Sequence, residues 1–398
     1  MTQDPVVWFA GVSWDGVRGT DRHLVTALAR HTRVLWVDPP VSPLTPGRFT
    51  GGRRTVRPRL SRVDDRVERL TPLVLPGHTR PGVRATTWPL VRAQVRLGLR
   101  RLGARPRAVV ASHLDDVLGG WGPGVRTVLF GTDDFVAGAE LMGQPADRLR
   151  AEERRAVGRA DVLVTITPEL AARWAAMRPG VEPAVVPNGC DPDAYAGLDA
   201  LPRPAGFDLP APVVGLVGQL SDRIDLDVLE AVADAGLSLL LVGPHDGRWE
   251  AARLAALTAR PGVHATGLVP AADLPRWLAT IDVGLTPYRD TAFNRASFPL
   301  KTLEYLAAGR PVVSTDLPAT RRLLAGAGDG VLTVATGPAG VVDALRRVAA
   351  GGRDPGLAAR CRALADRHSW TRRAETFSAA VGLDVPVGPA VPEPLEVP

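Results

Sequence analysis

A lysine and a glutamate three residues apart, Lys301 and Glu304, are the first pair whose types and spacing could do chemistry. They lie where a polar loop from Ser297 leads into a helical pattern that ends at Gly309. The free amides and the dipole of a helix start attract phosphate. Lys301 would add positive charge in that first turn, and Glu304 could accept hydrogen bonds from a ribose diol. The alternative is an ordinary i,i+3 pair on a surface helix.

Two further groups, His113 and Asp134, follow apolar runs in the first half of the chain. Residues just beyond buried parallel strands face the ligand crevice of an α/β sheet. Histidine titrates near neutral pH, and either side chain could act as the general base of an inverting reaction. The competing roles are a helix N-cap for Asp134 and a purely structural position for His113.

Alternating apolar and helical patterns must position these groups. Strands are predicted at Val6–Ala10, Val34–Val37, Ala108–Ala111, Val128–Phe130, Val162–Ile166, Val213–Val217, Leu239–Val242, Val283–Pro287 and Pro311–Ser314. Helices are predicted at Thr20–His31, Trp88–Leu102, Pro168–Met177, Leu226–Ala235, Glu250–Thr258, Asp273–Thr280, Leu300–Ala308 and Val341–Ala349. This alternation is typical of parallel sheets covered on both faces. The expected fold class is α/β, with two Rossmann-like, doubly wound domains facing a cleft.

A proline-rich stretch, Asp191–Pro212, separates the two runs of elements. We expect a first domain at 1–195, a linker at 196–212 and a second domain at 213–365. A helix at 366–383 could cross back to the first domain. Residues 384–398, rich in Pro and Val, are expected to be a disordered tail.

The composition is that of a folded protein, with 45% hydrophobic and 23% charged residues among 398. No apolar run is long enough to span a membrane. The two cysteines, Cys190 and Cys361, and the lack of a secretion signal favour a cytoplasmic protein. The net charge of +6 fits an anionic partner. It equally fits the arginine-rich bias of a GC-rich, actinobacterial type of genome, because Lys301 is the single lysine.

The segment Pro299-x-Lys301-x-x-Glu304-Tyr305-x-Ala307-x-Gly309-x-Pro311 resembles the nucleotide-sugar signature of GT-B-fold glycosyltransferases of the family 4 type, the glycosyl transferases group 1. Shorter matches follow in the order of that family: Val186–Asp191, Val214–Leu220, Leu241–Pro244, Gly267–Pro270 and Asp282–Pro287. The resemblance covers most of the chain. It implies transfer of a sugar from a nucleotide-diphospho-sugar to a hydroxyl acceptor, such as a cell-envelope glycan or lipid or a natural product. It also implies retention of anomeric configuration, with neither a metal nor another cofactor.

The resemblance also implies roles for individual residues. Glu304 would hold the ribose, and Leu268 and Val269 would lie near the base. The diphosphate would meet the glycine loop at Gly218 and backbone amides around Phe298–Lys301. The donor-binding residues at this helix start are Ser297, Phe298, Pro299, Leu300 and Lys301. The acceptor cleft would be bordered by Gly16, Gly19, Arg22 and His23, for which an exposed helix start is the alternative.

Two departures from the family pattern change these roles. Ala296 stands where the family has a glutamate that touches the donor sugar, so Asn294 or Arg295 could substitute. Gln219 and Ile224 stand where the family often has cations. The nearest cation is Arg223, which is our candidate for the diphosphate, with a plain surface arginine as the alternative.

An arginine-rich stretch from Arg80 to Arg107 interleaves eight arginines with apolar residues. Such a helix could contact the inner face of an anionic membrane, or it could pack its apolar stripe on the sheet. Two other function classes are open. A nucleotide-sugar epimerase of the same architecture would need more carboxylates and histidines than the sequence places. A nucleic-acid-binding protein is disfavoured because the arginines are dispersed and only 5% of residues are aromatic, so no nucleic-acid partner is expected.

Overall fold

The computed structural model describes residues 4–45, 57–80 and 82–383. The chain forms two compact units. The first combines the residues up to Pro187 with those from Trp370 onward, and the second runs from Asn188 to Ser369. The expected disordered tail, 384–398, lies outside the described residues.

The first unit is built on an eight-stranded sheet of order β3-β4-β2-β1-β5-β6-β7-β8. Its strands are β1 (Val6–Phe9), β2 (Val34–Val37), β3 (Arg59–Arg62), β4 (Val67–Thr71), β5 (Ala108–Ala111), β6 (Arg126–Gly131), β7 (Val162–Thr165) and β8 (Ala184–Val185). Its first helices are α1 (Thr20–Leu28), α2 (Val83–Arg101), α3 (Ala146–Arg159) and α4 (Pro168–Met177). β1, β2 and β5 are buried along their whole length, as their unbroken apolar runs predict.

One pair of strands departs from the parallel arrangement that the sequence predicted. β3 and β4 are antiparallel, with Arg59 opposite Thr71. A short turn joins them, in which the Asp64 carboxylate accepts the amides of Arg66 and Val67, both at 2.8 Å. Four residues cannot cross over the sheet, so the second strand has to run back beside the first.

The second unit is built on a parallel six-stranded sheet of order β11-β10-β9-β12-β13-β14. Its strands are β9 (Val213–Val217), β10 (Ser238–Val242), β11 (Val263–Ala265), β12 (Val283–Thr286), β13 (Val312–Thr315) and β14 (Leu332–Ala335). Its helices are α5 (Leu226–Asp234), α6 (Ala251–Thr258), α7 (Leu274–Thr280), α8 (Ala292–Arg295), α9 (Leu300–Ala307), α10 (Pro318–Ala325), α11 (Gly337–Ala350) and α12 (Pro355–Arg367).

The segment expected to be a single C-terminal helix at 366–383 is divided in the structure. α12 ends at Arg367, and α13 (Trp370–Val381) belongs to the first unit. There Phe377 packs on Trp8 and Phe130 with ring centroids 5.5 Å apart in both pairs. The aromatic face of α13 therefore completes the core of the first unit.

The boundary between the units lies at Pro187–Asn188, before the expected linker at 196–212. Residues after it belong to the second unit because they bond to its other segments. The amide of Cys190 donates to the His368 carbonyl at 2.9 Å. Asp199 forms ion pairs with Arg310 and Arg353.

Each sheet has a point at which the strand order reverses direction. In the first sheet it lies between β1 and β5, and in the second between β9 and β12. Loops leave the carboxyl ends of such neighbouring strands in opposite directions and open a crevice, which is where doubly wound sheets bind ligands. We therefore expect ligands to bind at these two switch points.

Candidate functional site

Three loops lie side by side at the carboxyl edge of the second sheet. The Gly218 amide donates to the last carbonyl of β10 at 2.9 Å, and the Gly243 amide donates to the Gly267 carbonyl at 3.0 Å. A Cβ on Gly243 would lie 2.1 Å from the Gly218 oxygen, so only glycine permits this approach. Gly267 leads into Leu268, which is 79% exposed, and half-buried Val269. Both therefore follow a loop that is tied to the Gly218 loop through Gly243.

A buried tyrosine fixes α9 against this edge. The Tyr305 hydroxyl accepts a hydrogen bond from the Val217 amide at the end of β9, at 2.6 Å. Burial raises the pKa of Tyr305 well above its ordinary value, so the hydroxyl stays neutral. Gly284 in β12 leaves room for the ring, because a Cβ there would lie 2.5 Å from it. The helix is thereby held against the two strands that form the switch point.

Lys301 and Glu304 extend from α9 beside the glycine loop. Lys301 Nζ lies 2.7 Å from Glu304 Oε2, so the ordinary i,i+3 pair is present. The Lys301 side chain also reaches the loop, with its Cε 4.0 Å from where a Cβ on Gly218 would lie. The two side chains are 28% and 18% exposed. Such a pair contributes at most about 1 kcal/mol, so a ligand could separate it at small cost.

The residues before α9 act through their backbone. Pro299 precedes the helix without a side-chain hydrogen bond to the first turn, so the amides there lack intrahelical partners. Ser297 donates its hydroxyl to a carbonyl of α8 at 2.8 Å, and the Phe298 carbonyl accepts from Asn188 at 3.1 Å. Ser297, Phe298 and Pro299 are buried, whereas Leu300 is half-buried. Their side chains shape the loop, and only backbone groups are suited to meet a ligand.

Arg223 lies at the same switch point, between two aromatic rings. Its guanidinium carbon is 4.8 Å from the Phe293 ring centroid and 5.3 Å from that of Tyr288. Its Nε donates to Asn294 Oδ1 at 3.0 Å. In the described part of the chain no carboxylate forms an ion pair with Arg223. Its positive charge is therefore held in place without a counterion, as an anion site requires.

The two residues expected to replace the missing glutamate have other partners. Asn294 is buried and donates to the carbonyls of Arg223 and Arg289 at 3.0 and 2.9 Å, so its carboxamide holds the loop together. Arg295 is exposed and forms an ion pair with Asp290 at 2.5 Å. The carboxamide of Asn294 is therefore committed to the loop, whereas the exposed pair of Arg295 could open at small cost and its role stays a prediction.

Two residues that sequence analysis did not select support this edge. Asn188 bonds to the loop before α9, and its signal was the Val186–Asp191 motif. Tyr195 ends a short 3-10 helix that packs against α9. Burial raises the pKa of the Tyr195 hydroxyl, and the negative charge of Glu304 adds to the effect. Nothing in the local pattern of Tyr195 indicated this position.

At the switch point of the first sheet, Arg22 stands beside Trp14. Its guanidinium carbon lies 4.7 Å from the ring centroid, and its Nη1 donates to the Trp14 carbonyl at 2.6 Å. Burial lowers the pKa of Arg22, and the charges of Arg18 and Arg69 lower it further against the opposing effect of Asp15. The guanidinium of Arg22 is therefore held beside Trp14 where α1 begins.

The other predicted acceptor residues have identifiable local roles. Gly16 closes a turn by donating its amide to the Ser13 carbonyl at 2.8 Å. Gly19 precedes α1 with a φ of −104°, which any residue can adopt. The His23 ring stacks on Trp370 with centroids 5.3 Å apart, so one of its faces is covered by α13. Arg22 is thus the member of this set with the clearest capacity to bind a ligand.

His113 follows β5, and its Nδ1 faces Asp115. Nδ1 accepts the Asp115 amide at 3.2 Å and lies 3.4 Å from the Asp115 carboxylate. The bond from the amide favours the neutral tautomer that carries its hydrogen on Nε2. Burial lowers the pKa of His113 below its ordinary value, against the opposing charges of Asp115 and Glu152. A neutral ring of this tautomer can donate a hydrogen bond through Nε2, and the general-base role stays a prediction.

Asp134 closes a turn after β6; no helix begins there, so the expected N-cap role is replaced by a turn. Its Oδ1 accepts the Ala137 amide at 2.8 Å, and its Oδ2 is paired with Arg173. Arg173 also pairs with Glu153 at 2.5 Å. Both oxygens of Asp134 are engaged in structural bonds, so we assign it no catalytic role.

The arginines of α2 turn toward the protein more than the sequence suggested. Arg84 pairs with Asp115 at 3.0 Å, and Arg92 donates to the Asp116 carbonyl. Arg96 lies 5.2 Å from the Trp121 ring centroid. The exposed apolar residues of the helix include Leu90 and Leu97, 38% and 46% exposed.

Two negative findings concern the described residues only. None of their helices combines the length and apolarity that a membrane crossing requires. Their His, Cys, Asp and Glu side chains form no group of three or more that could hold a metal ion.

Parts of the chain are similar in sequence to known proteins. Residues 211–350 match the family described as glycosyl transferases group 1. Over 113 residues, 28% of each chain, the protein is 34% identical to TuaH of Bacillus subtilis (strain 168), named as a teichuronic acid biosynthesis glycosyltransferase. Over 204 residues it is 28% identical to the phosphatidyl-myo-inositol mannosyltransferase of Mycobacterium leprae (strain TN), covering 50% of this chain and 51% of that one.

A solved E. coli structure, described as trehalose-6-phosphate bound with UDP-2-fluoro glucose, superposes with a TM-score of 0.68 at 15% identity. The match covers 96% of this chain and 100% of the other. At that identity the likeness shows the fold alone. The chain is an α/β protein of the GT-B fold, as the sequence predicted. The matches to curated relatives span about half of those proteins or less.

Proposed function

We propose that this protein, whose second unit matches the glycosyl transferases group 1, is a glycosyltransferase that uses a nucleotide-diphospho-sugar and a hydroxyl acceptor. The observation that carries the proposal is the Lys301–Glu304 pair beside the Gly218 loop, at the switch point of the second sheet. That position brings together free helix amides, a cation and a carboxylate. A nucleoside diphosphate needs all three.

The donor would separate Lys301 from Glu304, because its diphosphate would bind the first and its ribose the second. Lys301 would turn to the diphosphate, joined by the amides at the start of α9 and by Arg223. Glu304, released from the ion pair, would accept hydrogen bonds from the two ribose hydroxyls. Exposed Leu268 and half-buried Val269 would flank the base. Each group would thus gain a partner of complementary charge or polarity.

The same cations would assist the reaction itself. When the bond between sugar and phosphate breaks, negative charge grows on the departing diphosphate. Fixed donors aimed at developing charge are commonly the largest electrostatic contribution to catalysis. Lys301, Arg223 and the α9 amides are such donors. We therefore assign them to leaving-group stabilisation, in a reaction that we propose to be retaining and metal-independent.

We assign acceptor recognition to the first unit. His113, neutral and protonated on Nε2, would donate a hydrogen bond to a sugar or acceptor oxygen. Arg22 would offer positive charge where α1 begins. The names of two relatives refer to teichuronic acid biosynthesis and to phosphatidyl-myo-inositol, so an envelope glycan or lipid is the acceptor class that we propose.

A lipid acceptor would bring the enzyme to an anionic membrane surface. The exposed face of α2 carries Leu90 and Leu97, and Arg100 and Arg101 follow at its end. Apolar residues next to arginines favour interfacial contact. We include peripheral membrane contact in the proposal.

Thermal stabilisation by UDP, GDP, TDP and ADP tests the donor site. A ligand at 100 times its Kd stabilises the folded state by about 2.7 kcal/mol, which raises the melting temperature measurably. We expect one nucleotide to give such a rise in the wild type. Glu304→Ala and Lys301→Ala should lose most of it while melting close to the wild type without ligand.

Asp147→Ala is the matched control, because it breaks an exposed i,i+3 pair with Arg150 on α3. It should keep the full nucleotide effect. The donor proposal is rejected if no nucleotide shifts the wild type, or if both site variants respond as the control does.

A further inference from the structure

A buried carboxylate that the donor site does not use lies at the switch point of the first sheet. Asp21, in the first turn of α1, is 7% exposed. Its Oδ2 accepts the Ser112 hydroxyl at 2.6 Å and the Gly11 amide at 3.4 Å. Gly11 starts the loop after β1, and Ser112 directly follows β5. The carboxylate therefore joins both strand ends of the switch point to the start of α1.

The residues that Asp21 joins are those to which the proposed function assigns the acceptor. Ser112 directly precedes His113, and Gly11 begins the loop that leads to Arg22. A hydrogen-bond donor such as His113 contributes only while its distance to the reacting oxygen is held. Because the Asp21 carboxylate bonds to the ends of both β1 and β5, it would keep the two sides of the crevice at a constant distance from each other.

The charge of Asp21 is costly where it stands. Its Oδ1 and the buried Nε1 of Trp8 both lack a hydrogen-bond partner among the described residues. Burial raises the pKa of Asp21 to about 6, the hydrogen bonds from Ser112 and Gly11 and the nearby Trp8 indole oppose this, and the nearby charge of Asp133 adds to it. Because the folded pKa is raised, the folded state loses stability as the pH rises from about 4 to about 6.

An asparagine would avoid that cost, but its neutral oxygen would accept both hydrogen bonds more weakly than a carboxylate does. A carboxylate kept at a cost to stability is characteristic of functional sites. We infer that Asp21 is a positioning residue, which holds the Gly11 loop and the Ser112–His113 strand end for the acceptor side of the reaction. The inference rests on the proposed function.

Asp161 supplies a matched control within the same sheet. Its Oδ2 also accepts one amide and one hydroxyl, both from Thr127 at 2.8 Å. It lies before β7, at the amino-terminal edge, where doubly wound sheets do not bind ligands. Asp161→Asn changes the same pattern of bonds away from the switch point.

The experiment compares Asp21→Asn, Ser112→Ala and Asp161→Asn at pH 7.5. The substrate is the nucleotide-sugar whose nucleotide gives the largest thermal shift, and the measured rate is release of nucleoside diphosphate. We expect Asp21→Asn to melt at or about 2–4 °C above the wild type, since it removes a buried charge. Its kcat should fall at least tenfold, while the nucleotide Kd stays within about twofold. Ser112→Ala should lower kcat in the same direction, and Asp161→Asn should leave it unchanged.

The inference is overturned if Asp21→Asn keeps the wild-type kcat. It is also overturned if kcat falls only together with a lower melting temperature and a weaker nucleotide Kd, since that pattern describes a structural role. If the wild type binds no nucleotide, the proposed function fails. Hydrogen exchange then decides the inference separately: peptides covering 11–19 and 112–118 should exchange faster in Asp21→Asn than in Asp161→Asn, and equal rates would contradict it.

Discussion

The ring of Tyr305 occupies the space that a Cβ on Gly284 would need. Its hydroxyl in turn satisfies the Val217 amide, which has to be paired because it is buried. The position of the Lys301–Glu304 pair thus depends on two residues that never meet the proposed ligand. Tyr305 is part of a motif that is visible in the sequence, but its two partners are not. Val217 lies 88 residues away, and Gly284 lies on β12. Such contacts leave no local pattern.

Gly284→Ala tests this dependence. The added methyl would force the ring and α9 away from the sheet, and overpacking of this kind costs about 1–3 kcal/mol. We expect a lower midpoint in urea unfolding and a weaker nucleotide Kd. Gly247→Ala is the control, because a Cβ there would meet nothing within 4 Å. If both variants unfold and bind alike, the packing argument does not hold.

Among the elements, α2 shows how a composition can mislead. Its arginines suggested a charged face for a membrane, yet Arg84, Arg92 and Arg96 bond to the loops after β5 and to α3. The spacing of these side chains is visible in the sequence, but the carbonyls and carboxylates opposite them are not. The membrane contact that we propose would therefore depend on the exposed Leu90 and Leu97 more than on these three arginines.

Co-sedimentation with vesicles of phosphatidylglycerol and phosphatidylcholine tests the α2 proposal. We expect salt-sensitive binding of the wild type, reduced at least fivefold in the Leu90→Glu/Leu97→Glu variant, because charged residues would be forced into the apolar part of the interface. Leu324→Glu on α10 is the matched control, since Leu324 is also 38% exposed. Wild type and double variant binding equally, or neither binding, would exclude this surface.

At the scale of the whole molecule, the chain leaves the first unit at Pro187 and returns to it at Trp370. The segment just after the departure is held by charge. Asp199 pairs with Arg310, whose side chain is 3% exposed, with Arg353 at 3.1 Å and with Arg362 at 3.6 Å. These arginines lie 111 or more residues farther along the chain. The expected linker thereby becomes part of the second unit.

Acid unfolding should report this cluster. Burial raises the pKa of Asp199, but the hydrogen bond from Arg310 and the neighbouring arginines outweigh it and leave the pKa below 3.8. A lowered folded pKa means stabilisation that is present at neutral pH and lost as the pH falls through that value. Asp199→Asn should cost about 1–2 kcal/mol at pH 7, discounted because Asp199 is 49% exposed.

Thermal unfolding between pH 3 and pH 7 measures the difference. The melting temperatures of the variant and the wild type should converge toward the acid end. Asp193→Asn, in the neighbouring exposed turn, should follow the wild type throughout. A constant difference at every pH would show that the charge of Asp199 is not what stabilises the segment.

The sequence by itself determined the kinds and order of most elements. Unbroken apolar runs identified central strands such as β2, β5 and β9 with their observed bounds, because local periodicity and burial on both faces leave a direct record. It did not reveal the edge strands β3 and β11, or β4 beside β3, whose half-polar residues resemble loops. The sequence also predicted the helix start that carries Lys301. The polar loop before this helix and the glycine that ends it, Gly309, are local features of the sequence.

Only the tertiary structure decided which distant groups meet. It determined the strand order, and with it the two switch points, because pairing between strands depends on contacts far apart in the chain. It placed Ser112 on Asp21 across 91 residues and Asn188 on Phe298 across 110. It also returned α13 to the first unit. A pattern of neighbours along the chain cannot encode such pairings, because they form only when whole elements bury their surfaces together.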